Sequence, residues 1–294
     1  MKKVNEFKNS ITGIFTGNFN NIEEIHTATK QGGIIKTVSK GLSKGIDAGV
    51  KSGTIPKSVG SIIKAGKTTI LNEFNSSLES QMKKEMKKFN ENENNRMKIL
   101  AILTKLRQIC NSPTLFKEDY KGEVAKLQVL RDLLPDITEN GHRLLIFSQF
   151  VGTLKEIEKE LVDLGIEYFY IDGNVKSKER MEISKKFNAG QRQVVLISLK
   201  AGGTGLNLVG ADVVIHYDPW WNVAVENQAS DRAYRIGQKK SVQVIKLVTE
   251  GTIEEKIIKI QENKKQLSEN LLESKDNDKV LFEMSDKELM DLLA

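Results

Sequence analysis

The stretch ENQASDRAYRIGQ (226–238) holds two arginines, Arg232 and Arg235, three residues apart. On a helix that spacing puts them on one face. Two guanidiniums side by side form a fork for phosphate oxygens. Gln228 lies one turn before Arg232 on nearly the same side, and Gly237 is predicted to end the helix. A solvated arginine pair has the same pattern, so the residues alone leave both readings open. A second stretch, ISLKAGGTGLNL (197–208), places Gly202, Gly203 and Gly205 after an apolar run. Glycines let backbone N–H groups approach a phosphate closely because no Cβ intervenes. Ser198 and Lys200 add a hydroxyl and a cation at the same strand end. A tight strand-to-helix turn that needs positive φ would use the same glycines. The third glycine of GxGxxG is missing, so this is not a dinucleotide fingerprint.

Both stretches must be held by a scaffold, and residues 96–250 supply one. Short apolar runs recur at 144–147, 168–171, 194–197, 213–215 and 242–248, each β-branched or aromatic. Helical patterns lie between them at 153–164, 178–188 and 223–234, and another precedes them at 96–110. Strand–helix alternation with nearly continuous apolar strands predicts an α/β fold with a parallel sheet covered on both faces. Ligands on such sheets sit at the carboxyl ends of the strands, where the glycine stretch falls. Residues 251–294 read as two bracing helices, opened by capping-box patterns at Thr252/Glu255 and Ser285/Glu288.

The order of motifs carries a resemblance. LRQICNSP (106–113), IFSQF (146–150), YIDGNVKSKERMEISKKFN (170–188), ISLKAGGTGLNL, HYDPWWN (216–222) and DRAYRIGQ (231–238) resemble, in sequence, the C-terminal lobe of Swi/Snf-type DNA translocases, which are superfamily 2 helicase-like ATPases. The resemblance covers about residues 90–294. It implies a three-layer RecA-like lobe that binds ATP and magnesium in a cleft shared with an N-terminal lobe. It implies that Arg235 is the arginine finger, Arg232 a second γ-phosphate contact and Gln228 their orienting residue, with Gly203 and Gly205 in the cleft-facing loop. A finger stabilises charge on the transferring phosphoryl oxygens. By the same resemblance, Ser148 and Gln149 at the first strand end, with Ser198 and Lys200 at the third, hold phosphates of double-stranded DNA. Such contacts are sequence-independent and salt-sensitive. Three positions depart from the family's frequent residues: Ser112 and Tyr234, where histidine is common, and Val223, where proline is common.

The 294 residues carry a net charge of +6, and the division of that charge is informative. Residues 1–95 hold 15 Lys+Arg against 9 Asp+Glu, whereas the remainder is neutral. This first segment, rich in glycine and lysine, is expected to be a separate all-α unit, with helices over about 34–50 and 57–89 and a polar linker at 89–95. Lys64-Ala65-Gly66-Lys67-Thr68 imitates the end of a phosphate loop, but Ser61 stands where the pattern requires glycine, and 56–70 reads as helix. No Asp-Glu magnesium motif precedes residue 96. The expectation is therefore a lobe that does not hydrolyse ATP alone and needs an N-terminal lobe from another chain or reading frame. A non-catalytic DNA- or protein-binding module and a truncated or fused remnant are the alternatives, and RNA polymerase is one candidate protein partner. A single cysteine, Cys110, excludes an intrachain disulfide. No apolar run approaches the length of a membrane span, and no signal-peptide core follows the N-terminal lysines; a cytoplasmic location is expected. Scattered histidines make a metal site in this chain unexpected.

Overall fold

The structure is a computed structural model that describes residues 24–26, 59–65, 80, 93–116, 120–202 and 205–270. Its strands are β1 (Glu24–His26), β2 (Val59–Ala65), β3 (Leu144–Ser148), β4 (Tyr168–Ile171), β5 (Val194–Ser198), β6 (Val213–His216) and β7 (Gln243–Thr249). All pair in parallel, in the order β1-β2-β7-β6-β3-β5-β4. The helices are α1 (Glu93–Asn111), α2 (Ala125–Glu139), α3 (Val151–Asp163), α4 (Ser177–Asn188), α5 (Leu199–Gly202), α6 (Val223–Ser230) and α7 (Ile253–Asn270), with a 3-10 turn at Pro113–Leu115.

Successive strand residues point to opposite faces, and the core divides accordingly. Leu144, Ile146, Val194, Leu196, Ile215 and Ile245 pack beneath α2 and α3, against Leu130, Leu133, Leu154 and Ile157. Leu145, Phe147, Val195, Ile197 and Val214 face the other way, against Phe187 of α4 and Ala229 of α6. Every residue of β3, β5 and β6 is buried, as expected of parallel strands covered on both sides. The expected three-layer RecA-like sheet is therefore present. A third cluster joins α1 to α7 through Ile99, Leu103, Leu106, Ile109, Ile253 and Ile257. Here Thr252 Oγ1 accepts the Glu254 N–H at 3.3 Å, and Glu255 reaches back to the Gly251 N–H at 2.9 Å.

One expectation needs correction. The first segment was expected to be all helix, but Glu24–His26 and Val59–Ala65 are strands. β2 pairs with β7 from Val59↔Gln243 to Ala65↔Thr249, and Ile63 is buried in the same core as Leu130 and Leu247. The helical spacing of the surrounding lysines and glycines competed with a stronger term. VGSIIKA is β-branched at Val59, Ile62 and Ile63, and β7 offers an open row of backbone groups to pair with. Strand preference depends on such a neighbour, which local periodicity does not reveal. Within the expected 57–89 helix, Ser80 is described and is helical; the remaining features expected in 1–92, including Gly66-Lys67-Thr68 of the phosphate-loop imitation, lie outside the described residues, as does the cap at Ser285/Glu288. No helix among the described residues is long and apolar enough to cross a membrane.

Candidate nucleotide and nucleic-acid interface

The carboxyl ends of β3, β5 and β6 lie side by side, since Ser148 pairs with Ser198 and Phe147 with His216. What each strand end offers is decided by its neighbours. Ser148 is buried, and its hydroxyl donates to Asp218 Oδ1. Gln149 is half-buried, and its N–H lies 3.2 Å from both Asp218 oxygens. Ser198 is also buried, and its Oγ accepts the Ala201 N–H at 3.3 Å, opening the short α5. Lys200 on α5 is exposed. The two serines thus turn inward and shape the strand ends, Lys200 faces outward, and half-buried Gln149 keeps its Oε1 covered.

The arginines sit on turns, not on a helix. α6 ends at Ser230, short of the expected Tyr234. The Arg232 N–H bonds Ala229 O at 3.2 Å and the Ala233 N–H bonds Ser230 O at 3.0 Å, a tightening to i→i−3. The Arg232 carbonyl leaves the helical path because it accepts the Leu208 N–H at 2.9 Å. Gly237 closes the turn at φ 105°, a value that favours glycine. Arg232 is buried, and its pKa is lowered by burial and then by the charge of Arg235. Arg235 is exposed, and its Nη1 donates to Gly205 O at 3.5 Å. Gly205 itself has φ +52°, so the positive-φ demand weighed for the glycine stretch is real at this position. Gly203 lies outside the described residues. Gln228 is exposed on the last turn of α6.

Gln238 completes the arrangement. Its Nε2 donates to Val209 O, Ala211 O and Ala233 O at 3.1, 2.7 and 3.1 Å. One side chain thereby fastens the segment after the glycines to the arginine turn. Two like charges and a glycine turn are held together at one corner of the lobe, an arrangement suited to an anion rich in oxygen acceptors.

Beneath this corner runs a buried polar layer that the sequence did not single out. Arg107 Nη2 donates to Asp218 Oδ2 at 3.2 Å and to Pro219 O at 3.0 Å. Lys126 Nζ pairs with Glu254 at 2.6 Å and donates to Tyr217 O at 2.9 Å and Asn111 Oδ1 at 3.3 Å. Glu226 pairs with Lys246 at 2.6 Å and accepts the Trp220 N–H at 2.6 Å. Burial raises the Glu226 carboxyl, but Lys246 and His216 outweigh it, and the net shift is downward. A signal for Lys126 did exist: it occupies a core position of the pattern that continues through Val129, Leu130 and Leu133. Its partners, as distant in sequence as Glu254, were not legible. Trp220 and Trp221 are half-buried and stack at 3.6 Å between ring centres, the first on the sheet core and the second on the α1–α7 cluster. His216 stacks on Phe147 and shares a 2.9 Å hydrogen bond with Ser230 Oγ; burial pushes its pKa down to about 4. Cys110 is buried, and burial pushes its thiol up to about 12. Among the described residues, no three His, Cys, Asp or Glu side chains converge on a metal position.

The family model for the helicase conserved C-terminal domain matches residues 125–237. An uncharacterized ATP-dependent helicase of Mycoplasma pneumoniae is 42% identical over 177 residues, which is 60% of this chain and 17% of that protein. The mouse SWI/SNF-related matrix-associated actin-dependent regulator of chromatin subfamily A member 1 is 42% identical over 185 residues, 58% of this chain and 18% of that protein. The matched region thus spans less than a fifth of either relative's length. The SWI2/SNF2 ATPase core of Sulfolobus solfataricus in complex with double-stranded DNA superposes with a TM-score of 0.65 at 29% identity, covering 81% of this chain and 50% of that one. Sequence match, sheet order and strand-end motifs agree: residues 125–237 form a helicase conserved C-terminal domain with a RecA-like fold, similar in sequence and structure to the C-terminal lobe of Swi/Snf-type ATPases.

Proposed function

We propose that this lobe works as one half of a DNA-dependent ATPase that translocates on double-stranded DNA. Arg235 acts as the arginine finger, Arg232 as a second γ-phosphate contact, and Gln228 orients them, with Gly203 and Gly205 facing the nucleotide. Gln149 and Lys200 contact backbone phosphates of the duplex, while Ser148 and Ser198 hold their strand ends in place. ATP and its magnesium ion are bound chiefly by a phosphate loop and acidic motif on a partner N-terminal lobe. The observation that carries the reading is the stitching of the arginine turn to the glycine segment by Leu208 N, Arg235 and Gln238. That stitching holds the Arg235 guanidinium and the Arg232 backbone beside the Gly205 turn, which supports a role in stabilising a developing phosphoryl charge.

The test is phosphate release with and without duplex DNA. The chain alone gives no DNA-stimulated turnover. Joined to the N-terminal lobe of a relative, it does, and Arg235→Ala lowers the rate by ~10³-fold or more, the scale of an arginine finger. Equal rates for Arg235→Ala and the parent would overturn the finger assignment. Salt-dependent duplex binding that is indifferent to Arg235, with no turnover in either format, would favour a binding module.

A further inference from the structure

We propose that Arg107 is a positioning residue for the duplex-facing strand end, acting through Asp218. The inference rests on the DNA-contacting role proposed above for Gln149. Arg107 belongs to α1, a helix whose apolar face packs on α7. Its buried guanidinium makes two hydrogen bonds into the segment between β6 and α6, to Asp218 Oδ2 and Pro219 O. It also lies over three rings, with centroid distances of 4.6 Å to Trp220, 5.2 Å to Trp221 and 5.2 Å to Phe150. A planar fork can bond in its plane and stack on its faces at once, which a lysine ammonium cannot.

Asp218 passes the constraint on. The same carboxylate that receives Arg107 accepts the Ser148 hydroxyl and the Gln149 N–H. A continuous chain of contacts therefore runs from α1 through Arg107 and Asp218 to the backbone of Gln149. The connecting segment has little freedom to absorb movement. Lys126 holds Tyr217 O, Glu226 holds the Trp220 N–H, and Gln261 of α7 donates to Trp220 O. A displacement of the α1–α7 pair is thus felt at Gln149, and the orientation of Gln149 depends on a residue at which no DNA arrives.

The test uses the full chain with Arg107→Met, Arg107→Lys, Gln149→Ala, Lys200→Ala, and the double variants pairing Arg107→Met with each of the last two. Binding to a fluorescent 20-bp duplex is read by anisotropy across a salt series. Amide hydrogen exchange is read without DNA. Arg107→Met is expected to weaken duplex binding about tenfold, and Arg107→Lys about threefold. The double with Gln149→Ala should be no weaker than the worse single, because both remove the same contact. The double with Lys200→Ala should multiply the two losses. Exchange at Gln149 and Phe150 should rise at least tenfold in Arg107→Met, with Val195 and Ile197 of β5 unchanged within twofold. An unchanged Gln149 amide, or exchange raised evenly across the sheet, would overturn the proposal. A local rise in exchange with duplex binding indifferent to Gln149 and Lys200 would keep the positional link and overturn the DNA reading instead. Should Arg107→Met fail to fold, Arg107→Lys carries both measurements.

Discussion

The ion pair between Lys126 and Glu254 offers the sharpest test of how the bracing helix α7 is locked to the sheet. Both side chains are fully buried, 2.6 Å apart. Breaking such a pair by removing one partner leaves an uncompensated charge and costs about 3–5 kcal/mol. Lys126→Met should therefore destabilise by roughly that amount. Glu254→Gln keeps an acceptor for the Thr249 N–H, bonded at 2.7 Å, but strands the ammonium, and should cost about 2–3 kcal/mol. In the double variant both charges are gone. What remains is the loss of a donor to Tyr217 O and Asn111 Oδ1, about 2 kcal/mol. The singles should thus overshoot the double, with a coupling of at least ~2 kcal/mol. The sign of the pH dependence follows from Glu254. Its pKa is raised because burial outweighs the pull of Lys126 and of the Thr249 N–H. Without Lys126 it rises further, so acidification neutralises the carboxyl and the Lys126→Met penalty shrinks as pH falls below that raised value toward the ordinary carboxyl range. A native carboxyl that binds its proton more tightly than the unfolded one loses stability as pH rises through that window. Urea unfolding followed by Trp220 and Trp221 fluorescence at several pH values measures all of this. Additivity within ~0.5 kcal/mol, or a Lys126→Met penalty that grows on acidification, would refute the reasoning.

Three further outcomes are expected. His216 titrates near 6.5 when unfolded but about 4 in the fold, so the unfolded state alone takes up a proton between those values. Stability should fall by about 3 kcal/mol as pH drops through the window, at 1.36 kcal/mol per unit, and His216→Gln should lose much less in the same titration. Gly205→Ala places a side chain at φ +52° with no neighbouring atom within 4 Å of the new Cβ; the cost is purely conformational, about 1–2 kcal/mol by denaturation, and a neutral result would contradict the left-handed turn. The Cys110 thiol, buried and raised to about 12, should resist a thiol reagent in the native protein and react fully in urea, because the thiolate is the reacting form; rapid native labelling would contradict its burial between α1 and α7.

The sequence by itself determined the architecture of the lobe and the identity of its motifs. Apolar runs such as LLIF and VVLI have few alternatives to a doubly covered parallel strand, and the loops that follow them must gather at one end of the sheet. Arg232, Arg235 and the glycine stretch were legible for that reason. Three things were decided only by the tertiary structure. Val59–Ala65 became a strand because β7 presented an edge to pair with, a long-range opportunity that a helical period of lysines and glycines conceals. The arginines left the helix because the Arg232 carbonyl bonds the Leu208 N–H, 24 residues away. The buried charges could be seen individually but not paired. Arg107 meets Asp218 across 111 residues and Lys126 meets Glu254 across 128. Local pattern reports which face of an element is apolar; it does not report which distant group will neutralise a charge once that face is closed, and desolvation makes that pairing decisive.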